Sequence, residues 1–281
     1  MIMKKILILI AATVLFVACD KINPNDSEQY IVYSGMPLEW EEGTAFDAIQ
    51  RAYVDKYTGP QCINCPNADK TLDAAHEQFG DNLVIISINH PDGQGKPYPN
   101  EPDMRTLEGT TWDKYYGIDG IPAAYINRRT ATQYSGSMNN IVGDISAVLA
   151  ENPIVGVNAT AEDIDHDGTL NITAEIVFAQ EYTEPLTMTL ALVEDSLAYK
   201  QLSTTGLKPD YMHNHILRMV VTDVWGADIE CTGKVGEARQ TKLTYTVSNH
   251  DINLDNCHLV AFVSDKSSRQ VLNSVQCSIA R

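Results

Sequence analysis

Two cysteines, Cys62 and Cys65, lie three positions apart where the sequence pattern changes from strand to helix. The preceding residues 51–57 alternate apolar and polar side chains, which predicts a strand that a glycine and a proline end. Downstream, apolar residues recur at steps of three and four as far as Phe79, which predicts a helix with one buried stripe. The cysteine pair is therefore expected at a strand-to-helix turn.

The predicted helix gives the two sulfur atoms different positions. Cys65 lies on the buried stripe, whereas Cys62 falls at the helix start, off the inward face and exposed. The unpaired N–H groups of a helix N-terminus lower a cysteine pKa from ~8.5 to roughly 3.5 to 7.5. Cys62 is thus the candidate nucleophile, and Cys65 is the resolving thiol of a Cys62–Cys65 disulfide. The alternatives are a purely structural disulfide or a zinc site, which would require a second Cys or His pair.

The first residues have the pattern of a secretory leader. Two lysines precede an apolar run over 6–17 that is too short to span a bilayer, and an alanine and Cys19 follow it. A small residue directly before a cysteine resembles a bacterial lipobox, so residues 1–18 are predicted to be a lipoprotein signal peptide and Cys19 the lipidated residue. The alternative is an ordinary signal peptide with an incidental cysteine. Residues 19–45 are polar and aperiodic and are predicted to form a tether.

Charge limits the expected partners. The 281 residues carry a formal net charge of −17, so nucleic acid is not an expected partner. The expected membrane contact is through the lipid anchor only, and no cofactor or metal ion is expected. Envelope or extracellular proteins are the expected partners, either for redox exchange or for binding.

From residue 153 onward the apolar period changes to two. About seven short strands are expected, which indicates an all-β immunoglobulin-like sandwich over residues 153–281. Residues 163–168 open like a calcium loop, but Ala174 stands at the twelfth position, where such a loop needs an acid, so a hairpin turn is the better interpretation. His213 and His215 would share one face of a strand, either as a packed pair or as metal ligands.

Three further cysteines lie in this second half. Cys257 and Cys277 stand at the outer ends of two predicted strands that a turn near Ser267 joins. We expect these two cysteines to form a disulfide and to leave Cys231 unpaired, provided that the strand register brings them together. The rival pairing joins Cys231 to either of them.

The motif order after the cysteine pair resembles the thioredoxin fold. Segment 116–122, Tyr-Gly-Ile-Asp-Gly-Ile-Pro, runs into an apolar strand pattern. The resemblance implies an α/β thioredoxin-like domain over residues 46–152, with Pro122 in the cis form beside the cysteines and lining a substrate groove. It also implies a buried acid that assists proton transfer, for which Asp55 is the candidate, the alternative being an edge or solvated carboxylate.

A second resemblance covers nearly the whole chain after the leader. Segment 211–218, Tyr-Met-His-Asn-His-Ile-Leu-Arg, the dipeptide Trp225-Gly226, and Tyr57-Thr58-Gly59 ahead of the cysteines resemble the outer-membrane-protein-28-related lipoproteins of Bacteroidetes. The resemblance implies an outer membrane lipoprotein that faces the periplasm or the cell surface. Two functions follow as hypotheses: a thiol-disulfide oxidoreductase acting on envelope proteins, or a surface binding or adhesion protein in which the cysteine pair is a structural disulfide.

Overall fold

The computed structural model describes residues 35–136, 138–249 and 251–281. The predicted signal peptide and the predicted lipidation site at Cys19 lie outside these residues. All of the described residues belong to one compact unit of the chain.

The described part of the chain contains three α-helices and fifteen strands. The helices are α1 (Cys65–Phe79), α2 (Leu107–Tyr116) and α3 (Ile141–Leu149). The strands before α3 are β1 (Glu41–Glu42), β2 (Ala52–Thr58), β3 (Leu83–Asn89), β4 (Ala123–Ile126) and β5 (Gln133–Ser135). The strands after α3 are β6 (Val155–Glu162), β7 (Thr169–Phe178), β8 (Leu186–Glu194), β9 (Leu197–Ser203), β10 (Gly206–His213), β11 (Ile216–Val220), β12 (Ala227–Asp228), β13 (Ala238–Thr246), β14 (Cys257–Asp265) and β15 (Val271–Ala280).

Thirteen of these strands form one mixed sheet. Its order is β1-β13-β7-β6-β15-β14-β8-β11-β3-β2-β4-β5, with β12 beside β8, while β9 and β10 form a separate hairpin. The expected fold class, an α/β thioredoxin-like domain followed by an immunoglobulin-like sandwich, is wrong, because strands from both halves of the chain share this sheet. The junction is the parallel pairing of β11 with β3, at Ile216 and Ser87. The sheet therefore continues across the boundary expected at residue 152.

Strand β8 shows why the sequence pattern misled. Its residues Leu190 and Leu192 face a core shared with β6 and β7, as the period of two predicts. Its other face is buried as well, because Ala191 and Val193 join a second core with Tyr53 of β2. A two-sheet sandwich would leave this face to solvent, but here residues of β2, β3 and α2 cover it.

The predicted helix after the cysteine pair is confirmed. In α1, Cys65, Leu72 and Ala75 are buried, and the last two pack in a third core with residues of β2, β3 and β4. Pro66 is tolerated because the first turn of a helix has no intrahelical partner for its N–H groups. Gly80 then ends the helix with a φ of 56°, a conformation that glycine adopts without strain.

The structure also describes part of the predicted tether and the predicted turn at residues 163–168. The part of the predicted tether over residues 35–45 packs on the protein, since Leu38 and Trp40 are buried and the indole of Trp40 donates to the carbonyl of Asp228 at 3.0 Å. The hairpin interpretation of residues 163–168 is confirmed by the antiparallel pairing of β6 with β7. No helix among the described residues is long and apolar enough to cross a membrane.

Candidate functional site

The cysteine pair lies on the turn between β2 and α1. Cys62 and Cys65 form a disulfide with their Cα atoms 5.4 Å apart. The N–H of Cys62 donates to the carbonyl of Gly59 at 3.0 Å, and the N–H of Cys65 donates to the sulfur of Cys62 at 3.1 Å. The helix N-terminus therefore points at Cys62, as the sequence predicts.

Exposure differs from the sequence expectation. Cys65 is 0% exposed, in agreement with its place on the buried stripe, but Cys62 is only 1% exposed and not an accessible thiol. The exposed part of the turn is Ile63, with 42% of its surface in solvent, together with Asn64. The two cysteines are thus both inside the protein, and the two residues between them form the exposed tip.

The hairpin of β9 and β10 covers Cys62. The side-chain amide of Gln201, in β9, donates to the carbonyl oxygens of Cys62 at 2.9 Å and Gly59 at 3.2 Å. The N–H of Leu202 donates to the carbonyl of Pro60 at 2.7 Å. Gln201 is itself 1% exposed, so these contacts lie in the interior. The sequence pattern did not predict this hairpin, although Gly206 after two threonines was an available turn signal.

The loop after β3 supports the other side of the turn. The N–H of Gln61 donates to the carbonyl of Gln94 at 2.9 Å. Gly59 lies so close to this loop that an added Cβ would be 2.5 Å from the Cα of Gly95. Lys200 of β9 pairs with Glu101 at the end of the loop, 2.6 Å away. The turn is therefore held between the loop and the hairpin.

Pro122 has the cis peptide bond that the thioredoxin resemblance implied. The Ile121–Pro122 peptide is cis. In the antiparallel pairing of β4 with β2, Ala123 lies opposite Tyr57, so Pro122 comes beside the end of β2 that leads into the cysteine turn. A role of Pro122 in lining a substrate groove stays a prediction.

Asp55 is an ion-pair partner. It is 0% exposed, and its carboxylate accepts from Arg128 at 2.7 Å and from the hydroxyl of Tyr53 at 2.5 Å. Because strand residues alternate between faces, Asp55 points with Tyr53 away from the face that α1 covers. A guanidinium thus holds the acid that was expected to assist proton transfer.

A polar cluster that the sequence reasoning missed lies on the α1 face. Lys56 is 7% exposed and pairs with Asp69 of α1 at 2.6 Å, and the same carboxylate accepts from the hydroxyl of Tyr211 at 2.6 Å. Asp69 stands one turn after Cys65, which was the available signal. The cluster ties the hairpin to the helix that carries the disulfide.

The two histidines of segment 211–218 have separate surroundings. His213 packs against the ring of Tyr211 at 5.1 Å, and His215 lies 5.7 Å from the ring of His76. Burial lowers the pKa of each, His213 and His215, to about 4. Within the described residues, no group of three His, Cys, Asp or Glu side chains could hold a metal ion. The rings of His213 and His215 thus each pack against another aromatic ring.

A polar cavity lies next to His215. Its volume is about 230 Å³, and its lining includes His76, Asp195 and His258. His258 is 3.1 Å from Asp195, so part of the lining is already paired. The volume is below the roughly 300–1,000 Å³ of ordinary ligand pockets. We therefore do not assign a ligand to this cavity.

The expected Cys257–Cys277 disulfide is not present. Cys231, Cys257 and Cys277 are all free thiols. Leu259 lies opposite Cys277 in the β14–β15 pairing, which has a bulge after Val263. Cys257 is therefore a diagonal neighbour of Cys277, and such Cα atoms are about 7–8 Å apart, beyond the roughly 4.4–6.8 Å that a disulfide spans.

Comparison with known proteins gives a family match. The family Outer membrane protein Omp28 matches residues 109–281, which is more than half of the chain. The match begins downstream of the cysteine pair, so it carries no information on the chemistry of the pair. No curated protein matches the chain.

Three solved structures match the chain at low sequence identity. HBP35 of Porphyromonas gingivalis is 17% identical, with a TM-score of 0.67 over 84% of this chain and 77% of that chain. A protein of Agrobacterium tumefaciens is 16% identical, with a TM-score of 0.50 over 83% of this chain and 95% of that chain. A domain of the outer membrane lipoprotein Omp28 from Porphyromonas gingivalis is 21% identical, with a TM-score of 0.33 over 46% of this chain and 91% of that chain. The first two similarities concern the fold alone, whereas the family match shows that this chain belongs to the Omp28 family of outer membrane proteins and confirms the expected outer membrane location.

Proposed function

We propose that this protein acts as a binding lipoprotein of the outer membrane, in which the Cys62–Cys65 disulfide is structural. The observation that carries the proposal is the burial of both cysteines, 1% and 0% exposed, with the β9–β10 hairpin bonded to the backbone of Cys62. Thiol-disulfide exchange requires a thiolate to reach a sulfur atom of the disulfide. Here the hairpin would have to move before a partner thiol reached Cys62.

The disulfide has a structural task in this arrangement. It closes the turn whose carbonyl oxygens, on Gly59, Pro60 and Cys62, accept hydrogen bonds from the hairpin. Fixing the turn keeps these acceptors in register with Gln201. The partners in this proposal are envelope or extracellular proteins, held by surface contacts and not by a sulfur bond.

The reduction potential of the wild-type protein tests the proposal without any substitution. Structural disulfides typically have potentials below about −300 mV, whereas catalytic ones span roughly −270 to −120 mV. We expect a value in the structural range. A value in the catalytic range would favour the oxidoreductase hypothesis.

Trapping in cells gives an independent test. In an oxidoreductase, Cys65→Ser leaves Cys62 joined to partners as mixed disulfides, which non-reducing gels and mass spectrometry detect. We expect no such adducts from Cys65→Ser, with Cys62→Ser and Cys231→Ser as matched controls. Amine cross-linking of the wild-type protein should instead capture partners in complexes that survive reductant. Reductant-sensitive adducts that require Cys62 would overturn the proposal.

A further inference from the structure

The end of α2 and two turns between strands form an aromatic patch at the surface, in which Trp225 and Arg269 are half-buried. Tyr115, near the end of α2, is 56% exposed, and its ring lies 4.8 Å from the ring of Trp225. Trp225 lies on the turn between β11 and β12, where its backbone N–H donates to the carboxylate of Asp223 at 2.9 Å. Arg269, on the β14–β15 turn, places its guanidinium 4.7 Å from the Trp225 ring. Tyr115, Trp225 and Arg269 are called the aromatic patch below.

Arg269 differs from the other arginines of the chain. All eight arginines lie within the described residues, and each of the other seven donates to a carboxylate or to a main-chain carbonyl. The side chain of Arg269 contacts the Trp225 ring, with no carboxylate or carbonyl acceptor among the described residues. Its turn is closed by Asp265, which accepts from the N–H groups of Ser267 at 3.0 Å and Ser268 at 2.6 Å. A guanidinium held in this way is suited to a phosphate oxygen from outside the protein.

The N-terminal end of the described chain lies beside the patch. The N–H of Met36 donates to the carbonyl of Val221 at 3.1 Å. Gly35 is packed so tightly that an added Cβ would overlap the backbone of Thr222 and Asp223. The described chain thus begins on the turn that carries Trp225, and Met36 is itself 38% exposed. In sequence, this is the end that leads toward the predicted anchor at Cys19.

We propose that the aromatic patch rests on the membrane surface, with the rings of Tyr115 and Trp225 among the lipid headgroups and Arg269 on a lipid phosphate. Tyrosine and tryptophan are enriched at membrane–water interfaces, because each ring has an apolar body and a polar edge. The net charge of −17 repels an anionic surface, so this contact depends on the rings and on one phosphate. The inference goes beyond the proposed function, since it concerns how the protein sits on the membrane. It adds a contact by the folded protein to the lipid anchor.

Tryptophan fluorescence tests the contact in the full acylated chain. The protein is reconstituted into phosphatidylethanolamine–phosphatidylcholine vesicles in which part of the lipid carries a nitroxide, a short-range quencher, on its headgroup. Trp40 is 8% and Trp112 is 0% exposed, so Trp225 is the tryptophan placed to meet the lipid. We expect quenching of the wild-type emission, loss of this quenching in Trp225→Phe, and weaker quenching in Arg269→Ala than in Arg269→Lys. Unquenched wild-type emission would overturn the proposal.

A remote reporter serves as the matched control. Ile164 is 63% exposed on the β6–β7 turn, which follows Asp163, whose N–H donates to the carbonyl of Ala280 at the far end of β15 from Arg269. Ile164→Trp in the Trp225→Phe background should stay unquenched. Equal quenching of this reporter would show that the protein has no preferred face toward the membrane. An emission change of Trp225 on concentrating the protein without vesicles would assign the patch to a second copy, which also overturns the proposal.

Discussion

The side-chain amide nitrogen of Gln201 lies 2.9 Å from the carbonyl oxygen of Cys62, although the two residues are 139 positions apart in the chain. The contact places a hairpin from the second half of the protein over a disulfide in the first half. Access to the disulfide therefore depends on residues that carry no thiol. The first prediction follows from this dependence.

Replacing Gln201 by alanine should make the disulfide easier to reduce. The variant leaves the buried carbonyl of Cys62 without its side-chain donor, whereas the carbonyl of Gly59 still accepts from the N–H of Cys62. An unsatisfied buried acceptor costs about 1–3 kcal/mol, and its loss of partner loosens the hairpin. We expect reduction by a soluble phosphine to be several-fold faster than in the wild-type protein, measured by timed alkylation and mass spectrometry. Gln133→Ala, on the exposed edge strand β5, is the control and should leave the rate unchanged. Equal rates in both variants would show that the hairpin is not the barrier.

Gly59→Ala should destabilise the protein. An added Cβ would lie 2.5 Å from the carbonyl oxygen of Gln94 and the Cα of Gly95, both backbone atoms that move only with the loop. Overpacking of this kind costs typically about 1–3 kcal/mol, which denaturant unfolding measures. At Gly120 an added Cβ meets nothing within 4 Å, so Gly120→Ala is the matched control. Similar losses in the two variants would contradict the prediction.

Arg128→Met should cost far more than the loss of a surface ion pair. Arg128 and Asp55 have side-chain exposures of 2% and 0%, and the substitution leaves a buried carboxylate without its cation. Breaking one partner of a buried pair costs about 3–5 kcal/mol. Lys266→Ala removes an exposed pair with Asp228 and should cost less than about 1 kcal/mol. Chemical unfolding compares the two, and a small effect at Arg128 would reject this account.

Acid should weaken the protein through His213. Burial lowers the pKa of His213 to about 4, with Lys56 acting in the same direction and Asp69 against it. The unfolded chain binds this proton near its ordinary pKa of ~6.5, so stability is complete above that pH and falls as the pH drops toward 4. The expected loss between pH 7 and pH 5 is about 2 kcal/mol for this residue.

This loss of stability is checked by measuring the free energy of unfolding at pH 7 and pH 5. The measurement compares the wild-type protein with His213→Phe. The variant should lose part of the pH dependence, because burial also lowers the pKa of His215 to about 4. His166→Asn, at an exposed turn position, should keep the wild-type slope. A variant at His213 with an unchanged slope would place the acid sensitivity elsewhere.

Local sequence patterns predicted most of the elements near the site. The strand before the cysteines and the helix that begins at Cys65 both occur where the patterns place them. These features depend on contacts between residues close in the chain, such as the i to i+4 spacing of a helix stripe. The family resemblance carried by segment 211–218 likewise needed no structure.

Long-range pairing was decided only in the tertiary structure. The period of β8 predicts which of its residues face one core, but not that Ala191 and Val193 on the other face are covered by residues of the first half. Asp55 meets Arg128, 73 positions away, and Gln201 meets Cys62 in the same manner. A single sequence shows which face of a strand is apolar and which side chains are charged. Which strand or side chain each of them contacts depends on how all the apolar faces of the protein are buried together. The sequence by itself therefore determined a cysteine pair at a strand-to-helix turn, and the tertiary structure decided that the pair lies buried.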